Sequence, residues 1–131
     1  MRPFVFALLL LLPLPAAAQE AEISAVIADQ FGDFARDDFA GAFEHASPGI
    51  QGIFGSAENF GAMVRNGYPM VWRFQSFRML DLREIAGSLW QRVEVIDAEG
   101  RLFHLDYKMI QGEGGWKVDA VQLIPAPPPT A

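Results

Sequence analysis

One segment constrains this chain more than any other, Met63-Val64-Arg65-Asn66-Gly67-Tyr68-Pro69-Met70-Val71-Trp72-Arg73. Before it, apolar residues recur at helical spacing; after it, they alternate as in strands. At the change-over stand Gly67, suited to the left-handed position that ends a helix, and Pro69, which cannot continue one. Tyr68, Trp72 and Arg73 add three large side chains with polar tips or an indole. The chain is therefore expected to be α+β, helices first and sheet second, with this segment at the mouth or wall of any cavity between the two halves.

The first residues have the layout of a secretory signal peptide: Arg2, an apolar run from Phe4 to Leu12, breaks at Pro13 and Pro15, then Ala16-Ala17-Ala18. That run is well short of the roughly 20 apolar residues that span a bilayer. Residues 1–18 are expected to be removed on export to the periplasm or beyond. Residues 19–124 then form a single domain, and the Pro-rich 125–131 an extended, solvated tail. Cleavage after Ala18 leaves 113 residues, enough to bury a core. There is no cysteine, so packing alone must hold the domain.

Removing the leader takes away one arginine, leaving nine basic and sixteen acidic residues and a net charge of −7. A negative chain with no Lys/Arg cluster argues against nucleic acid, and equally against an anionic membrane surface once the leader is gone. No cofactor is expected, because neither a Walker loop nor a dinucleotide fingerprint is present. Gly112 to Gly115 is a hairpin turn rather than a phosphate cradle, since no helix follows it. No metal is expected either: His45 and His104 each lack a second histidine at i+2 or i+4, and cysteine ligands do not exist.

In the helical half, Ile23, Val26, Ile27, Phe31 and Phe34 mark one face of a helix over 20–36. Asp37 or Asp38 can cap a second helix that buries Phe39, Ala42, Phe43 and Ala46. Ser47-Pro48 starts a short third, where Ile50, Ile53 and Phe54 form one apolar turn or two, and Ser56 caps a fourth with the stripe Phe60, Met63 and Val64. Helices so rich in phenylalanine on one side need a platform. Turn signals at Gly87-Ser88, Asp97 to Gly100 and Gly112 to Gly115 divide the remainder into strands at 74–86, 89–97, 101–111 and 116–124, an antiparallel meander. Phe103, Leu105, Tyr107 and Met109 share one face of the third strand, His104, Asp106 and Lys108 the other. In the first strand Phe77, Met79 and Ile85 are in one phase and Leu80 and Leu82 in the other, which predicts a bulge near Leu80-Asp81 or burial on both faces.

The order of elements, N-terminal helices packed on a curved four-stranded antiparallel meander, resembles the nuclear transport factor 2-like cone, also called the cystatin-like fold. The block from Phe60 to Arg73, then Leu80-Asp81-Leu82-Arg83-Glu84-Ile85, Leu105-Asp106-Tyr107, Gly115-Trp116 and Val121-Gln122-Leu123, resembles the domain-of-unknown-function 4864 family of small exported bacterial proteins. That resemblance implies the fold and no activity, so no catalytic residue is carried over from it. The cone fold implies a cavity between helices and sheet, where relatives such as ketosteroid isomerase and scytalone dehydratase work with buried Asp, His and Tyr groups.

Candidate ligand-binding residues are Tyr68, Trp72, Arg73, Asp81, His104 and Asp106. Aromatic walls with one fixed cation suit a small apolar or weakly anionic molecule, although Trp72 could instead close the end of the core with Arg73 laid over it. Asp81-Leu82-Arg83-Glu84 could place a carboxylate beside a guanidinium, or form a ladder of surface ion pairs with Arg92 and Glu94. The favoured expectation is a non-catalytic module that binds a small molecule or a partner. One alternative is a cofactor-free lyase or isomerase with Asp81, His104 or Asp106 as base. Another is a homodimer through the open sheet face, where Trp90, Ile96 and Ile110 stand.

Overall fold

A computed structural model describes residues 15–125. The leader's positive and apolar regions and the tail beyond Pro125 lie outside the described residues. The elements are α1 (Ala16–Ala35), α2 (Phe39–Glu44), α3 (Pro48–Phe54), α4 (Ala57–Gly67), α5 (Pro69–Trp72), then β1 (Phe74–Ile85), β2 (Ser88–Asp97), β3 (Leu102–Gly112) and β4 (Gly115–Ile124). The strands form one antiparallel sheet in the order β1-β2-β3-β4. The α+β class and the meander are as expected.

The helix starts follow the capping chemistry. Asp38, Ser47 and Ser56 each accept a hydrogen bond from the backbone N–H three residues on, those of Gly41, Ile50 and Asn59. The end of α4 departs from expectation. Gly67 stays helical, and Tyr68, with φ of −134°, closes the helix. Pro69 then opens α5, the first helical position being the one where a missing N–H costs nothing. The left-handed glycine ends α3 instead, at Gly55 with φ of 77°. α1 runs through the cleavage point expected after Ala18, and its buried stripe begins at Ile23.

One aromatic cluster joins the helices to the sheet and a second joins the helices to one another. Phe31 of α1 stacks on Phe77, with ring centroids 4.5 Å apart, and meets Phe74 edge-on at 5.3 Å, both from β1. Phe60 of α4 gathers Phe34, Phe43 and Phe54 within 6.0 Å. The inner sheet face contributes Val93, Val95, Leu105, Tyr107 and Met109, all buried.

The phase conflict in β1 is resolved by a bulge at the expected place. Met79 pairs with Val93 and Leu82 with Gln91, so Leu80 and Asp81 together face Arg92. After the bulge Leu82 packs on the core and Ile85 turns outward, 49% exposed. Gln91, fully buried on the inner face, donates Nε2 to the Leu80 carbonyl at 2.8 Å and so satisfies a group that the bulge takes off the ladder.

The β1–β2 hairpin turns one residue earlier than expected. Ile85 pairs with Ser88, so the two loop residues are Ala86 and Gly87, at φ of 51° and 82°. Positive φ at both positions is what a turn compatible with strand twist needs, and alanine is ill suited to it. Ala86→Gly is therefore expected to stabilise the protein by about 0.5–1 kcal/mol, measured by chemical denaturation.

At the other edge, β4 is held by the link between α2 and α3. Ser47 donates its N–H to the Val118 carbonyl, and Val118 donates to the His45 carbonyl, both at 2.8 Å. The Ser47 hydroxyl donates to Asp119 at 2.7 Å while accepting from Ile50. One serine thus caps α3 and pins it beside the sheet edge. That leaves a space between α3, α4 and β4.

An apolar cavity between helices and sheet

That space is a cavity of about 270 Å³. Phe34 of α1, Phe60 and Val64 of α4, and Val71 of α5 form its helical wall. Tyr107, Val118, Ala120 and Val121 form the sheet wall. Ile50, Phe54 and Met63, all half-buried, complete the lining towards the surface. The change-over segment therefore does wall the cavity, through Met63, Val64, Tyr68 and Val71.

The polar groups in the lining are few. Tyr68 donates its hydroxyl to the Val121 carbonyl at 3.1 Å, tying the end of α4 to β4. Gln30 of α1, 3% exposed, donates Nε2 to the Ala42 carbonyl at 3.0 Å. Tyr107, 1% exposed, faces the same space from the middle of β3. Burial pushes its hydroxyl far above the ordinary tyrosine range, with a further push from Tyr68. Among the described residues, no carboxylate, imidazole or cation lines the cavity.

The six residues singled out from sequence fall in three places. Tyr68 is in the cavity. Trp72 and Arg73 line a separate groove of about 200 Å³ with Asp97, Arg101 and Phe103. There both serve Asp37, which follows α1 in a left-handed conformation. Trp72 Nε1 donates to Asp37 at 2.9 Å, and Arg73 Nη2 donates to both carboxylate oxygens at 2.7 and 2.9 Å. The hydrogen bond from Trp72, then those from Arg73, hold the Asp37 carboxyl below its usual range. The guanidinium lies 4.1 Å from the Trp72 ring centroid and also donates to the Phe34 carbonyl. These contacts fasten α5 to the end of α1.

Asp81, His104 and Asp106 belong to the sheet's outer side, away from the cavity. Asp81 is exposed in the bulge. His104 Nε2 is 3.0 Å from Glu94, which also accepts from Arg78 Nε at 2.9 Å. Asp106, 6% exposed, accepts paired hydrogen bonds from Arg83 at 2.9 Å and from Arg92 at 2.9 and 3.0 Å. Burial pushes its carboxyl up, but the two guanidinium groups outweigh that and hold it far below the usual carboxylate range. Trp90, Ile96 and Ile110 are half-buried on this same face.

Gln30 is a polar lining residue absent from the six sequence candidates. Its signal was available: it sits three residues after Ile27 and four before Phe34, a polar side chain on the buried stripe of α1.

Among the described residues, no helix is long and apolar enough to cross a membrane, and no group of three His, Cys, Asp or Glu side chains could hold a metal ion. A family profile described as "Domain of unknown function (DUF4864)" matches residues 16–131. No curated protein and no solved structure matches the chain.

Proposed function

We propose, from the premise that the chain belongs to this domain of unknown function (DUF4864) family, that it is a non-catalytic module holding a small apolar molecule between its helices and its sheet. The cavity carries the reading. Walls of Phe, Val, Met and Ala that face water forfeit roughly 25 cal/mol for each Å² left wet, and an apolar occupant recovers that. The volume lies just under the roughly 300 Å³ at which pockets for drug-sized molecules begin, and above the ~150 Å³ apolar cavity that admits benzene. The occupant is therefore small.

Two further readings travel with this one. The element order and the bulge that bends β1 support a nuclear transport factor 2-like cone. The leader at 1–18 supports export, so that the ligand is met in the periplasm or outside the cell. The lyase or isomerase alternative loses its support here, because Asp81, His104 and Asp106 face away from the cavity and Asp106 is held ionised between two arginines.

Native mass spectrometry of the exported protein, purified gently, tests the proposal. The expected spectrum shows a small-molecule adduct on the native chain and none on Met63→Trp, which fills the mouth. A bare native chain, or an adduct that survives the substitution, contradicts it. A bare dimer would move the function to the outer face of Trp90, Ile96 and Ile110.

A further inference from the structure

The cavity's polar atoms specify more than an apolar body. Among the described residues, the Tyr107 hydroxyl has no hydrogen-bond partner, although the residue is almost wholly buried. Gln30 commits Nε2 to Ala42, which fixes its amide orientation, and no donor among the described residues reaches its Oε1. Neither atom is sealed inside the protein: among the described residues, the sealed side-chain polar atom without a partner is Gln91 Oε1, on the inner face of β2. The Tyr107 hydroxyl and Gln30 Oε1 therefore border the open space. Tyr68, the third polar group, already spends its proton on Val121.

Unpaired polar atoms in a dry site select their complement, because leaving them unmatched costs their full desolvation. Gln30 Oε1 can only accept, so it calls for a donor on the ligand. The Tyr107 hydroxyl can donate or accept. A ligand hydroxyl serves either atom. A carboxylate or phosphate offers no proton to Gln30 and would be buried without a cation, since none of the described residues brings one to the cavity.

We propose that the occupant is a neutral alcohol or phenol, an apolar body of one or two rings whose hydroxyl is read by Tyr107 and Gln30. This rests on the binding reading above and narrows its ligand class.

Three molecules of one shape separate the possibilities: naphthalene, 2-naphthol and 2-naphthoate, each titrated against the protein by calorimetry. The expected order has 2-naphthol binding roughly five- to ten-fold tighter than naphthalene, the scale of one or two neutral hydrogen bonds. The carboxylate binds more weakly than either. Tyr107→Phe should erase most of the 2-naphthol advantage while naphthalene affinity stays within about two-fold, which also reports an intact cavity. If that variant does not fold, Gln30→Met carries the same expectation. Equal affinity for naphthol and naphthalene, or tightest binding by naphthoate, overturns the hydroxyl assignment and leaves the cavity reading standing. Failure of all three to bind overturns both.

Discussion

Phe31→Ala is expected to lower the free energy of unfolding by about 3–5 kcal/mol, the usual range for removing a buried phenylalanine. Phe31 is fully buried and touches every layer that matters: Phe74 and Phe77 of β1 on one side, Tyr107 of β3 at 6.2 Å on another. Its ring is packed against three others, so the cavity left behind adds to the lost transfer energy. A domain of this size is stabilised by roughly 5–15 kcal/mol in all, so the variant sits near the edge of folding. Urea denaturation checks this through a fall in midpoint at unchanged slope. Phe31→Leu, which keeps most of the volume, should lose much less.

The second large effect is expected on the face the cavity does not use. Asp106→Ala removes the acceptor of two guanidinium groups at once and leaves Arg83 and Arg92 facing each other. Breaking a buried pair from one side costs about 3–5 kcal/mol, but both arginine side chains are about one-third exposed and water can reach them. The expected loss is therefore about 2–3 kcal/mol. It also has a pH signature. The folded carboxyl titrates below its ordinary 3.8, so its contribution is complete above that value and disappears as pH falls towards the folded pKa. Stability of the native chain should drop on acidification below about pH 4, and the Asp106→Ala profile should be flatter there. A variant that keeps the native acid limb contradicts this account of the network. Asp33 acts in the opposite direction: burial foremost, with Asp38 adding to it, raises its carboxyl against the pull of His45 and Arg36, so ionising it costs stability as pH rises through its folded value.

Local chemistry was readable in the chain because its causes are local. Asp38, Ser47 and Ser56 announce helix starts within three residues of themselves, and the reversed phase of Leu80 and Leu82 announces the bulge. The errors have equally local physics. Gly67 has the freedom to end a helix but is not needed for it once Tyr68 can close α4 and Pro69 can open α5. Gly87 was right as a turn residue, but the turn takes two positive φ values and recruits Ala86 before it.

The site was less readable because its contacts are distant. Trp72 and Arg73 look like a ligand wall until Asp37, more than thirty residues upstream, takes the indole and the guanidinium together. Asp106 looks like a base until two strands bring Arg83 and Arg92 against it. Alternation did establish that Tyr107 and Asp106 part company across the sheet, and that the helices would cover one of them. It could not show that α3, pinned to β4 through Ser47, leaves a space above Tyr107. That volume depends on several packing distances at once, and no periodicity encodes it.

Under the proposed function, an apolar molecule enters this space and no other. The most direct test is a methyl-resolved NMR titration of the protein with naphthalene. Saturable shifts are expected, confined to methyl groups of the lining, among them Ile50, Met63, Val64, Val71, Val118 and Val121. Shifts confined to Ile96 and Ile110 on the outer face, or none at all, would contradict the proposal.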